Sequence, residues 1–450
     1  MTASQQGSYT VQPLVSSTPV DTYRAQALTP SSITVSGVAS TTPLTATPAT
    51  LALSVDCPSA GGNCVYANAA LTGQPREITI TNTSLTDTTT PLTVTSASFP
   101  TGTSITTDNC TGVSLAPQGT CTLTIKPGQE SSSGTGNAAC TTGIQPNPGT
   151  ITVNASSAPS PASSNVDVLS YGCIYQEGYV YSVDDTTATT GSIGGKVVSL
   201  TDQTPRYPNG IIWSSNGQTG HGSDGFDNQD VSYDTLPGID ETSTSSTSSP
   251  TFSAFQTFFS TTYTNANPFT ASSFNSCHGN SDGQCNTGNI LTFYNKFITN
   301  NTEGNGGTPK FTASSGPTPL SYYAAGMCSN YTIDASGNSP CSTGTCYNNW
   351  YLPAICEMGP ASNGSGCAAG TQNIISDFPA LIGDPNAGSP STSCSIGTNC
   401  LAGFYWSSTE SSFGPQNLAW DEYFSTGGSG QNAVNKGNLL GVRCSRALTL

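Results

Sequence analysis

The chain has 450 residues, room for two or three domains, and only 8 % of them are charged. Its net charge is −16: 3 basic against 6 acidic residues before position 166, and 7 against 20 from there on. That sign excludes attraction to nucleic acid or to an anionic membrane surface, and low charge with abundant Gly, Ser and Thr excludes an ordinary cytosolic enzyme in favour of an extracellular, β-rich protein.

Residues 1–30 are polar, with Tyr9-Thr10-Val11 and Leu14-Val15 as their apolar knots. They read as an extended N-terminal segment, either a loose leader or a strand donated to a neighbouring subunit. Met1-Thr2-Ala3-Ser4 carries no apolar stretch, so Met1 reads as a start standing where a signal peptide has been removed. No transmembrane run is visible, and insertion into a membrane is not expected.

Residues 31–157 hold short runs of alternating Thr, Val and Ile at 32–36, 51–55, 77–81, 92–99, 120–125 and 150–153, separated by Pro, Gly and Asn. Period-two alternation at this spacing predicts an antiparallel β-sandwich. Residues 158–165, rich in Ser, Ala and Pro, read as a linker.

Residues 166–450 read as a second, α+β domain. The runs 178–183 and 196–200 form a hairpin, and 217–241 is a long Gly/Asp/Asn loop. Helical stripes follow: Phe252, Phe255 and Phe259; Ile290, Phe293 and Phe297; Leu320, Tyr323 and Met327; and Ile374, Ile375, Phe378 and Leu381. Such stripes serve core packing more often than ligands. Three of the four tryptophans, Trp350, Trp406 and Trp420, fall in 350–446, which places the densest core at the C-terminal end. There, Leu352-Pro353 predicts an extended residue entering a helix, and strands are predicted at 404–406, 418–424 and 439–446.

Sixteen cysteines are present. The pairs Cys57/Cys64, Cys110/Cys121, Cys277/Cys285, Cys341/Cys346, Cys356/Cys367 and Cys394/Cys400 read as loop staples made in an oxidising compartment. Cys140, Cys173, Cys328 and Cys444 remain for longer-range bonds, among them a Cys173–Cys444 bridge from first strand to last. No CxxC spacing points to zinc.

Catalytic residues are not expected. The histidines are His221 and His278, both in Gly/Asn/Ser loops with no nucleophile elbow around any serine. Asp224, Asp227 and Asp230 offer hard oxygen ligands at the spacing calcium favours, without the EF-hand pattern, and Asn280-Ser281-Asp282-Gly283 is a weaker version. Glu410, Asn417, Trp420 and Asp421 are the candidate ligand-binding residues, able to hold a sugar by hydroxyl hydrogen bonds and ring stacking.

The motifs WYLPAICEMG (350–359), YWSSTE (405–410), AW…YF (419–424) and GVRCSRAL (441–448), opened by 173–187, resemble the C-terminal domain family of the legionella collagen-like adhesin. The resemblance implies a C-type-lectin-like or formylglycine-generating-enzyme-like α+β fold with its N- and C-terminal strands side by side. It also implies a trimer that binds sulfated polysaccharides. This chain lacks the family's Gly-X-Y stalk, and its basic patch for an anionic glycan would be Lys436, Arg443 and Arg446. Residues 109–125 are similar to the end of bacterial immunoglobulin-like repeats.

The expected protein is therefore disulfide-rich, with an N-terminal all-β immunoglobulin-like sandwich and a C-terminal α+β C-type-lectin-like domain. It is a secreted or cell-surface bacterial adhesin without catalysis. Its partners are a host or matrix glycan or protein, or copies of itself in a homo-oligomer. The alternative is a structural subunit of an extracellular fibre assembled by N-terminal strand donation.

Overall fold

The computed structural model describes residues 42–59, 61–66, 68–134, 136–141, 143–213, 235–247, 250–262, 267–300, 323–386 and 400–449. The chain is mostly β-sheet, with short helices and many disulfides. The expectations for 1–30, for a strand at 32–36, for Asp224, Asp227, Asp230 and His221, for Leu320 and for the side chain of Phe297 fall outside the described residues.

Eight strands come first: β1 (Leu44–Thr47), β2 (Thr50–Ser54), β3 (Arg76–Asn82), β4 (Thr93–Ala97), β5 (Ser104–Asp108), β6 (Thr120–Lys126), β7 (Gly149–Asn154) and β8 (Ala162–Leu169). They form two four-stranded sheets, β1-β3-β6-β5 and β2-β8-β7-β4. Alternation builds their shared core. Ile78 and Ile80 of β3, Leu123 and Ile125 of β6, and Ile151 and Val153 of β7 point inward and are buried, while the threonines between them are half-exposed. Strands β1 and β5 escape the sequence pattern because they are short and mostly exposed or half-exposed, and β8 because it begins in a Ser/Asn run.

The stretch expected as a linker is corrected by β8. Ala162 onward runs antiparallel to β7 and parallel to β2, so the chain enters its second half as a paired strand rather than a tether. Leu51, Ala52, Leu53 and Ser54 are all buried, as are the last four residues of β8. A run buried without alternation needs cover beyond one face. Here the outer edge of β2 is closed by Ala52 N–H donating to Ser192 Oγ (2.9 Å) and Ile193 N–H donating to Ala52 O (3.0 Å).

The joint is completed by a buried ion pair. Arg76 Nη2 lies 3.0 Å from Asp185 Oδ1, and Nη1 donates to Ala188 O, Gly191 O and Ser192 O at 2.7–3.2 Å. Asp185 Oδ2 accepts from Ser54 Oγ (2.8 Å), Thr72 Oγ1 (2.5 Å) and Gln74 N (3.0 Å). One contiguous buried apolar cluster runs from Leu44 to Leu448.

Beyond the joint lie β9 (Ile174–Tyr175), β10 (Gly178–Asp184) and β11 (Gly194–Ser199). Next come α1 (Phe252–Thr262), α2 (Gly283–Asn300), α3 (Ala324–Asn330), β12 (Ile333–Asp334), β13 (Cys346–Tyr347), α4 (Ile355–Met358) and α5 (Ile374–Asp377). The chain closes with β14 (Gly403–Glu410), β15 (Leu418–Phe424), β16 (Gly430–Asn435) and β17 (Ser445–Ala447). The expected hairpin is β10–β11, and the C-terminal strand joins it in the order β17-β11-β10-β9. A second antiparallel sheet is β14-β15-β16. The helical stripes pack inward: Phe255, Phe259, Ile290 and Phe293 are buried, and Phe255 meets Phe269, Phe274 and Phe293 edge-on. No helix among the described residues is long and apolar enough to cross a membrane.

Five of the six expected close disulfides form: Cys57–Cys64, Cys110–Cys121, Cys277–Cys285, Cys341–Cys346 and Cys356–Cys367. Cys400 is disulfide-bonded, while Cys394 falls outside the described residues. The Cys173–Cys444 expectation is overturned: the bonds are Cys140–Cys173 and Cys328–Cys444. Register gives the reason. Ser445, Val198, Tyr179 and Ile174 line up across four strands, so their neighbours Cys444 and Cys173 stand about three strand spacings, roughly 14 Å, apart, beyond the reach of a disulfide.

Candidate functional site

The signature motifs interlock instead of opening onto solvent. Ser408 N–H donates to Pro353 O (2.8 Å), and Ile355 N–H donates to Thr409 Oγ1 (3.1 Å). Tyr351 and Ser445 exchange backbone hydrogen bonds at 2.8 and 2.9 Å. Gln431 Nε2 donates to Ile355 O and Gly359 O, both at 3.1 Å. Glu357 starts α4 by accepting from Ala354 N–H (2.8 Å) and also accepts from Lys196 Nζ. All four tryptophans are buried, with each indole N–H donating to Ile211 O, Ser407 O, Tyr347 O or Glu241 Oε2.

This architecture buries three of the four sequence-derived ligand candidates. Glu410 is sealed against Lys436, Trp420 donates inward to Glu241, and Asp421 is fully buried on β15. Asn417 is half-buried in the turn before β15, its backbone donating to Gly414 O and accepting from Lys436 N–H, both at 2.9 Å. Three of the four thus present no face to a surface ligand. The basic patch is likewise internal. Lys436 pairs with Glu410, Arg443 with Asp202 (2.7 Å), and Arg446 stacks over Tyr347 and Trp350 at 5.0 and 5.6 Å. His278 is exposed in its loop. Among the described residues no cluster of three or more His, Cys, Asp or Glu is placed to hold a metal.

What opens to solvent is a cleft of ≈ 720 Å³ at the joint. The first half of the chain supplies Pro48, Pro146, Asn165 and Asp167, and the second half supplies Tyr175, Gln176, Glu177, Ser336, Tyr347 and Thr449. Gln176 and Glu177 form the two-residue turn between β9 and β10, at φ 48° and 62°. Both positions lie in the left-handed region, as a type I′ hairpin turn demands, and there a non-glycine residue is strained. The side chain of Gln176 holds the turn. Its Oε1 accepts from Thr449 N (3.1 Å), Thr449 Oγ1 (3.0 Å) and Arg446 Nη2, and its Nε2 donates to Thr449 O (3.2 Å).

The lining is acidic and aromatic. Burial pushes Asp167 up to about 6, and its Oδ1 has no hydrogen-bond partner. Glu177 is raised by burial and then by the charge of Asp334. Tyr175 is raised by burial and by Asp167, and Tyr347 by burial and by Glu177. Carboxylates beside tyrosine rings supply acceptors for hydroxyl and ammonium donors, and faces for the C–H surface of a ring. Asp167, Tyr175, Glu177 and Tyr347 are absent from the sequence-derived site. Their one legible signal is that 175–177 fall inside the opening motif. A second cleft of ≈ 560 Å³ lies over Glu422, which burial pushes up to about 8.

No family model and no curated protein matches this chain. Among solved structures, a fragment holding domains 4–9 of the surface layer protein SbsC aligns at 14 % identity and TM-score 0.18, over 38 % of this chain and 21 % of that one. The secreted serine protease VesC from Vibrio cholerae aligns at 15 % identity and TM-score 0.16, over 31 % of this chain and 33 % of that one. The chain thus spans a fifth to a third of these two structures, and likeness this slight carries no argument about fold or activity.

Proposed function

We propose that this chain is a secreted or cell-surface bacterial adhesin that holds a glycan without catalysis. The glycan is neutral or amino-bearing and sits in the cleft between the two halves. The observation that carries this reading is the cleft lining: Asp167 and Glu177 beside Tyr175 and Tyr347, at a joint fixed by Arg76 and Asp185. Disulfides throughout the described chain support an oxidising, extracytoplasmic setting. In this reading the first half is an immunoglobulin-like spacer. The second half is a lectin-like domain of the family its motifs resemble, with the ligand captured where the two meet. Sulfated chains are disfavoured, because the cleft is acidic and the three cations nearest the family motifs are buried.

Screening the full chain on a glycan array at pH 7.5, then titrating the best hit, tests the reading. Neutral or amino-bearing glycans should bind, and Glu177→Gln or Tyr347→Ala should each weaken the hit about tenfold, equivalent to about 1.4 kcal/mol. Binding confined to sulfated glycans, or a neutral hit indifferent to both substitutions, overturns it.

A further inference from the structure

We propose that Glu410 and Lys436 condense into an intramolecular amide that cross-links the end of β14 to the residue following β16. The two side chains are fully buried, at 0 % exposure each, with Lys436 Nζ 2.7 Å from Glu410 Oε1. The ammonium also donates to Pro415 O (2.7 Å) and sits 4.3 Å from the centre of the Trp213 ring. Leu236 N–H points at the carboxylate, 3.1 Å from Oε1 and 3.0 Å from Oε2. The segment carrying Asp240 lies alongside, with Glu410 N–H donating to Ile239 O (3.1 Å). The site therefore assembles a nucleophile, an acyl carbon and an oxyanion donor in one buried compartment.

The other ion pairs of the described residues lack this combination. Arg76–Asp185, Arg206–Asp202 and Arg443–Asp202 offer a guanidinium, which is not a nucleophile. Lys126 stands 3.7 Å from Asp56 and is half-exposed, and Lys196, beside Glu357, is one-third exposed.

The step balances without a co-reactant. A proton passes from the Lys436 ammonium to the Glu410 carboxylate, giving amine and acid. Burial favours this direction, since it raises the Glu410 carboxyl well above the usual range even with Lys436 beside it. The Nζ lone pair attacks Cδ, and negative charge on Oε2 is met by Leu236 N–H. The Cδ–Oε1 bond breaks, and Oε1 leaves as water with one proton from the acid and one from nitrogen. Ammonium and carboxylate become amide and water, with no change in net charge. The product removes two ionised groups from a site where their desolvation is most expensive.

Peptide mapping by mass spectrometry on the reduced, alkylated full-length protein tests the proposal. A branched peptide joining the 410 and 436 segments is expected, lighter by one water than its two linear parts. Lys436→Arg and Glu410→Ala should each abolish it. If both segments are recovered only as linear peptides of full mass, the pair is an ion pair and the proposal fails. It fails equally if the water loss persists in Lys436→Arg. The wild-type branched peptide stands as evidence even if neither variant folds.

Discussion

The two halves of the molecule share one apolar core but differ in how much charge they bury. In the sandwich, β3, β6 and β7 bury Ile78, Ile80, Leu123, Ile125, Ile151 and Val153 between half-exposed threonines, and burial of apolar area stabilises it. In the second half, the buried end of β14 reads Ser407, Ser408, Thr409 and Glu410. Its neighbour β15 buries Asp421 and Glu422, and Lys436 and Arg443 are buried as well. Apolar contacts degrade gradually when trimmed. A polar interior is stable only while its partners are present, because an unpartnered buried group bears its full desolvation penalty.

The largest effect expected from breaking that contrast is at the joint. Replacing Arg76 with Met leaves Asp185 buried beside Ser54 and Thr72 with no cation. It should cost about 3–5 kcal/mol, read as a lower urea midpoint. A loss under about 1 kcal/mol, the range of an exposed pair, would show the joint to be dispensable.

The second effect is a pH dependence centred on the second half. Burial pushes Asp421 and Glu422 up to about 8, while in the unfolded chain they titrate near pH 4. Between those values the folded state holds the protons and the unfolded state has lost them. Stability from these groups is therefore fully present below about pH 4 and lost as pH rises toward about 8. The slope is at most about 1.4 kcal/mol per pH unit for each group. Asp421→Asn with Glu422→Gln should flatten the curve of melting temperature against pH over that window. An unchanged slope in the double variant would assign the dependence to other groups.

The smallest effect lies on the sandwich surface. Lys126 and Asp56 form a partly exposed pair at 3.7 Å, so Lys126→Met should change stability by less than about 1 kcal/mol. A larger loss by urea unfolding would mean that the sandwich surface, and not the joint alone, depends on charge.

Legibility follows the same division. Strand β15 is read at 418–424 and observed at Leu418–Phe424, and the hairpin read at 178–183 and 196–200 is observed as β10–β11. Those features are local: a two-residue period, a proline before a helix, cysteines a short loop apart. The burial of Glu410, Trp420 and Asp421 was not legible, because they look like exposed polar and aromatic groups until α4 and the 235–241 segment are packed over them. Asp167 gave no signal, since its place in the cleft depends on the turn after β9 that meets it only across the joint.

The sequence by itself determined the disulfide-rich β character, the short loop staples and the faces of the helical stripes, because each rests on spacing within a few residues. Tertiary structure alone decided three further features: the parallel β2–β8 pairing, the exchange of Cys173–Cys444 for Cys140–Cys173 and Cys328–Cys444, and the burial of Lys436, Arg443 and Arg446. Each depends on which segments lie one strand spacing apart and what covers them, and chain order carries no local trace of either.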